Sequence, residues 1–543
     1  MKLFVSRGNC KSRIFNTLPK STAGGLKKNK ALLSPPAGDL GGVSDFRNYL
    51  ASITIVLLIA SFAFSDISIN DWAYDYQRND SLSYREKVES VNQGAVEAGG
   101  WTVHPLIFNT AKTKLTLLSK SHLLKWQPEA VVNGFAFKGT NDYGAAVKNS
   151  FYYSYKNYLS AFITGSFCRR IDHPAFKDSI YSLSNYGMKS NQVVTTYDHI
   201  TGASSFDAEQ AVAYLQIHSP VLDLGFGRRP VRWGPGYNGS LLFNGIVPLN
   251  CFYMLDKKID SIFSFTAFFG APDYKKEFFP ESQPDSSIYA RGERYTGGHR
   301  AEVVLFKKIK IGLNEVVVCN GQKEFNRYIN PLQMYYLVSS NSDLSSNLLA
   351  SIDIWAQLYP GLTLYGEFLD DDITVFEKGN PDRFAYQLGS AYHDTLRKIS
   401  IRAEYTYVKA YCYTHFKSSK NWYMWSNYPV GYWTGPDADN LYIHIEKEKK
   451  NYSLRLTYNL VRRGEKNILV YWDRKKDGSG ENTPYLQGKV SVVNNCAISG
   501  KYNYRNTLNC YSSLGVQLTK NGQNSGKQQN ITPYFQTVLD LMY

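Results

Sequence analysis

The sequence predicts an all-β protein, a large antiparallel transmembrane β-barrel of about 18 strands with a small, partly helical N-terminal region. Three observations predict it. Apolar and polar residues alternate with period two along much of the 543-residue chain. Aromatics make up 15%, led by 42 Tyr against 29 Phe and 9 Trp, a balance that suits a surface half oily and half wet. Mean hydropathy is -0.34, which excludes a bundle of membrane helices.

Residues 1–65 read as a leader. Nine of the 61 Lys/Arg and two of the 46 Asp/Glu fall there, so the leader carries +7 of the net +15 and the remainder +8. That remainder is mildly basic for its size and shows no Lys/Arg stripe, so nucleic acid is not an expected partner. An apolar segment runs from Leu50 to Ala63. It is short for a spanning helix, which takes about 20 apolar residues. Arg47 precedes it, and Ala63 and Ser65 are small residues just before Asp66, the pattern of a cleaved signal peptide. Residues 1–46 are more than such a peptide needs. A start assigned too early is the favoured reading, with a real basic extension or an uncleaved anchor helix as alternatives.

Residues 66–144 read as a periplasmic or plugging region. Ser83 and Glu86 stand at capping-box spacing for a short helix, and Gly99-Gly100-Trp101 breaks it.

Residues 145–543 read as the barrel. Ile352, Ile354, Ala356 and Leu358 alternate with Ser351, Asp353, Trp355 and Gln357. Leu362, Leu364, Gly366 and Phe368 alternate with Thr363, Tyr365 and Glu367, and Ile401, Ala403, Tyr405 and Tyr407 with Arg402, Glu404 and Thr406. Tyr452, Leu454, Leu456, Tyr458 and Leu460 do so with Ser453, Arg455, Thr457 and Asn459. Each segment therefore has one greasy face and one polar face. A soluble sandwich would turn the greasy face inward, and a membrane barrel turns it to lipid. Tyr at expected strand ends (Phe151-Tyr152-Tyr153, Tyr335-Tyr336) and a terminal alternating strand ending on Tyr543 favour the barrel. Asn320-Gly321, Lys476-Asp477-Gly478-Ser479-Gly480 and Asn521-Gly522 read as turns between strands.

The most distinctive run spans residues 227–243, where Gly and Pro crowd around Arg228, Arg229, Arg232, Trp233, Tyr237 and Asn238. Arg and aromatic side chains offer planar donors and stacking faces to a ligand. The plainer readings are a turn with Arg232 over Trp233, or a network filling the lumen. The core of the run, Trp233-Gly234-Pro235-Gly236-Tyr237-Asn238-Gly239-Ser240-Leu241, resembles the signature of the capsule assembly protein Wzi family, bacterial outer-membrane β-barrel lectins. Gly297-Gly298-His299-Arg300 is similar to a second family feature. The stretch from Gly431 through Asp437 and Asp439 to Leu441 is similar to a third, and Tyr365-Gly366-Glu367-Phe368-Leu369-Asp370-Asp371-Asp372 also fits. The likeness weakens N-terminally and at Asn244-Gly245-Ile246-Val247-Pro248.

The resemblance implies a non-enzymatic, polysaccharide-binding (lectin-like) barrel in the outer membrane of a Gram-negative bacterium. It would hold capsular or surface polysaccharide and assist capsule assembly. The ligand-binding residues expected are Arg228, Arg229, Arg232, Trp233, Tyr237, Asn238, His299, Arg300, Glu367, Asp437 and Asp439. Polysaccharide and outer-membrane lipid are the expected partners of a monomer that needs no cofactor or metal. The alternatives are an outer-membrane porin, or a polysaccharide hydrolase using a carboxylate pair such as Glu367 and Glu404. Arg300 and Glu302 share a strand face and read as an ion-pair ladder. Asp370, Asp371 and Asp372 lack calcium-loop spacing and read as a solvated loop. Seven Cys show no zinc spacing, and a disulfide framework cannot be read from them.

Overall fold

The computed structural model describes residues 108–541, with breaks at connecting stretches, the longest being 173–193 and 273–293. The leader, the helix expected at Ser83, the turn at 476–480 and the terminal Tyr543 lie outside the described residues. Eighteen strands form the main run. β1 is His122–Phe137, β2 Thr140–Tyr155, β3 Leu159–Asp172, β4 Ser204–Ile217, β5 Asp223–Trp233 and β6 Phe243–Lys258. β7 is Phe263–Pro272, β8 Arg294–Leu305, β9 Ile309–Asn320, β10 Asn347–Tyr359, β11 Leu362–Asp372 and β12 Arg383–Asp394. β13 is Ile399–Val408, β14 Ala438–Glu448, β15 Tyr452–Arg463, β16 Ser491–Tyr504, β17 Leu508–Lys520 and β18 Asn530–Leu541.

Each strand pairs antiparallel with the next, and β18 pairs back onto β1, Tyr534–Val538 against Asn133–Phe137. The run of neighbours thus returns to its start over these five residues. Short strands Phe108–Asn109 and Leu115–Leu118 take further positions along β1. The strand run therefore opens at His122, inside the stretch 66–144 that the sequence set apart from the barrel.

Connections differ at the two ends. Those at 156–158, 306–308, 360–361, 395–398 and 449–451 are tight, whereas 234–242, 321–346, 409–437 and 464–490 at the opposite end are long. An even number of antiparallel strands puts the start of β1 and the end of β18 at the tight-turn end. Outer-membrane barrels place short turns in the periplasm and long loops outside the cell.

Side-chain faces follow the sequence pattern. On β10, Ser351 and Asp353 are buried while Ile352 and Ile354 are 48% and 46% exposed. Leu364 and Phe368, Leu388, Ile401, and Leu454 with Leu456 likewise lie exposed on the outer face. Glu367, Gln387, Arg402, Glu404, His444, Arg455 and Asn459 are buried on the inner one. Each Leu or Ile row residue left in water would forgo about 1.5–3 kcal/mol of burial, so this inverted pattern is stable only with lipid outside. No helix among the described residues is long and apolar enough to cross a membrane.

Two elements were not expected. Helices α1 (Gly321–Tyr328) and α2 (Tyr335–Ser342) fill the connection after β9. Tyr335-Tyr336 therefore opens a helix rather than ending a strand. Asp371, read as part of a solvated loop, is buried on β11 and accepts the Tyr413 amide proton at 2.6 Å. Cys251, Cys319, Cys412 and Cys496 are free thiols.

Candidate ligand-binding site

The signature run folds inward. β5 ends at Trp233, and residues 234–242 turn between the inner faces of β11 to β14. Glu404 on β13 accepts the amide protons of Tyr237 at 2.6 Å and Asn238 at 3.0 Å. Glu367 on β11 accepts those of Leu241 at 2.9 Å and Leu242 at 3.2 Å. Each oxygen of each carboxylate is used, so these two side chains act as paired clamps on backbone that has no strand partner. Gln387 on β12 donates to the Gly239 carbonyl at 3.0 Å and to Glu404 at 3.1 Å.

Arg232 turns to the loop's own oxygens, the Gly236 carbonyl, the Tyr237 carbonyl at 3.4 Å and Ser240 Oγ at 3.2 Å. Arg402 stacks on the run, 3.8 Å from the Tyr237 ring centre. Burial pushes the phenols of Tyr413, Tyr423 and Tyr432 well above their ordinary range. They stay protonated and donate, Tyr413 to the Leu241 carbonyl at 2.7 Å, Tyr423 to that of Leu242 at 2.6 Å and Tyr432 to Asn440 Oδ1 at 2.8 Å. Trp433 donates its indole N–H to the Asn238 carbonyl at 2.8 Å.

The four motifs singled out in the sequence meet here. Trp233 packs edge-on against Phe243 and Phe268, in a space that a Cβ on Gly298 would enter at 2.7 Å. Glu367 and Asp371 come from the acidic motif, and Tyr432, Trp433 and Asn440 from the stretch 431–441. Residues 234–242 are thus an internal plug, cross-braced by residues up to about 200 positions away in the chain.

A family model described as capsule assembly protein Wzi matches residues 132–532. The chain belongs to the Wzi family. Membership and the oily exterior together place it in the outer membrane of a Gram-negative bacterium. Among similar solved structures is one titled as Wzi of Escherichia coli, an outer-membrane protein involved in group 1 capsule assembly and a carbohydrate-binding β-barrel. It shares 13% identity over 75% of this chain and 83% of that chain, with a TM-score of 0.45. OprD of Pseudomonas aeruginosa shares 9% identity over 80% of this chain and 99% of that chain, TM-score 0.39. OccAB4 of Acinetobacter baumannii shares 8% over 78% and 98%, TM-score 0.42. No curated protein matches.

The residues expected to bind ligand do not form one site in this Wzi-family barrel. Arg232, Tyr237, Asn238 and Glu367 belong to the plug and Trp233 to its apolar surround. Arg229 is buried over the Tyr214 ring at 4.8 Å, and its guanidinium nitrogens have no hydrogen-bond partner among the described residues. Arg228 is half-buried on β5. Arg300 forks onto Asp353 at 2.5 and 3.0 Å and onto Glu302 at 2.9 Å, the ladder its spacing suggested. His299 faces the other way, onto the outer wall.

Asp437 and Asp439 stand at the start of β14, at the long-loop end. Asp439 accepts from Tyr405 and Tyr485 hydroxyls, both at 3.1 Å, and from Arg462 Nε at 2.9 Å. The Tyr485 ring lies flat on Tyr407, centroids 4.2 Å apart and planes 9° off parallel. Tyr485 is 43% exposed and the Arg462 side chain 41%, so an aromatic ring and a cation stand exposed side by side over the buried Asp439 carboxylate. Sequence reasoning missed Tyr405, Arg462 and Tyr485. They come from three separate elements, and only the alternation at Tyr405 signalled any of them.

Proposed function

We propose that this protein binds capsular or other surface polysaccharide at the outer face of the outer membrane and holds it to the cell, assisting capsule assembly without catalysing a reaction. The observation that carries the reading is the family match over residues 132–532. The Tyr485–Arg462–Asp439 patch supports it. Flat aromatic faces stack on sugar rings, Arg forks onto carboxylates or hydroxyls, and many weak contacts along one polymer add by avidity. Asp437 and Asp439 hold the patch in shape. Arg228, Arg229, Arg232, Trp233, Tyr237, Asn238, His299, Arg300 and Glu367 serve the barrel, its plug and its wall.

Binding of the detergent-purified protein to immobilised capsular polysaccharide tests this. Tyr485→Ala or Arg462→Ala should weaken binding by about 1–2 kcal/mol, roughly tenfold, with the barrel still folded in detergent. Undiminished binding in both variants would move the site elsewhere.

A further inference from the structure

Helices α1 and α2 fold back over the outer wall of the barrel. Phe325 of α1 packs on Phe269 of β7 and Tyr295 of β8, at 5.4 and 4.8 Å between ring centroids. Tyr335 of α2 stacks on His299 at 4.2 Å. Glu315 on β9 accepts the first amide protons of α2, Tyr335 at 3.0 Å and Tyr336 at 2.7 Å, and Tyr253 on β6 donates to the Ile329 carbonyl at 2.7 Å. Those wall residues lie on the same outward rows as Leu313 and Ile352, 55% and 48% exposed further down the wall toward the tight-turn end. The row on β9 therefore runs from lipid-facing Leu313 to Val317 and Cys319, both fully covered by the helices.

The side of the helical pair turned away from the wall is itself oily. Leu332, Met334, Tyr336 and Leu337 are 82%, 61%, 66% and 51% exposed. Lys323 and Arg327 stand exposed on α1 beside them. Oily side chains with flanking cations, continuous with a lipid-facing wall, are what the headgroup boundary of a bilayer accommodates.

We infer that α1, α2 and their link form an interfacial collar that lies in the outer leaflet, with Leu332, Met334 and Leu337 in the acyl boundary and Lys323 and Arg327 on the phosphates of anionic lipid. The inference rests on the membrane reading of the barrel wall. It commits to lipid because the oily side of the pair continues the lipid-facing rows without a break, and because its exposed cations match phosphate headgroups.

The test uses the full-length protein, with Cys496→Ser removing the exposed described thiol, in nanodiscs containing phosphatidylglycerol. Nitroxide labels go on Met334→Cys and Leu337→Cys. Leu313→Cys is the wall reference and Leu396→Cys, 94% exposed on a tight turn, the water reference. Signal from the unmutated parent is subtracted. Collisions with a water-soluble nickel chelate should fall at 334 and 337 toward the Leu313 level, and Arg327→Glu with Lys323→Glu should raise them. Labels as wet as at Leu396, while Leu313 stays dry, overturn the collar alone. A wet Leu313 overturns the membrane wall itself. Protection that appears only with added polysaccharide, or spin–spin broadening between copies, would assign the face to a glycan or to a second chain and overturn the lipid assignment.

Discussion

Single residues decide whether the plug holds. Glu404 serves four donors, so Glu404→Ala leaves buried N–H groups and the Tyr365 hydroxyl without an acceptor. Each orphaned group costs about 1–3 kcal/mol, and the variant should lose roughly 3–5 kcal/mol in detergent unfolding, whereas Glu404→Gln should lose less. Asp437 lies just outside the strands and is fully buried, which raises its carboxyl from 3.8 to about 6 despite amide protons from Lys466 at 2.9 Å and Gln487 at 3.0 Å. A raised acid contributes stability in full below about 3.8 and loses it as pH climbs through about 6. Asp437→Asn removes the titration and tolerates the positive φ of 56°. The stability advantage of the parent over this variant should therefore shrink by up to about 3 kcal/mol between pH 4 and pH 7. A pH-independent difference in calorimetric midpoints would refute the assignment. The residue roles were the least legible part of the sequence. Alternation puts Glu367 and Glu404 inside, but which backbone they clamp depends on contacts across 125 to 167 positions.

At the scale of elements, the strands were legible because period two is local. Ser351–Leu358 and Ser453–Leu460 show their faces without any neighbour. The helical pair was not legible. α1 and α2 are eight residues each, too short to announce themselves by periodicity, and they are held by the wall beneath them. Gly321 after Asn320 read as a hairpin turn, and its φ of +78° does turn the chain, though into a helix. The glycine at 298 was visible but its reason was not, since it lies in the indole of Trp233, on a strand three pairings away. Gly298→Val should push Trp233 out of its seat and loosen residues 234–242. Single-channel recording should then find larger conductance than in the parent. A parent that already conducts like an open diffusion channel would instead favour a porin.

For the whole molecule, the oily exterior and the polar interior make a barrel that stands in lipid, with residues 234–242 folded inside it; under the proposed function it holds polymer outside rather than letting it through. Alternation made the strands legible, and the leader and the aromatic strand ends chose the barrel over a sandwich. The start of the strand run was not legible, because β1 and the first residues of β2 lie in a stretch whose pattern looked unlike the rest. The most direct measurement is the partition of capsular polysaccharide between cells and medium after this gene is deleted in the source organism. The account predicts that shed polymer rises and cell-attached polymer falls, with total synthesis kept, and that the unmutated protein restores attachment where Tyr485→Ala with Arg462→Ala does not. Equal attachment in deletion strain and parent would contradict it.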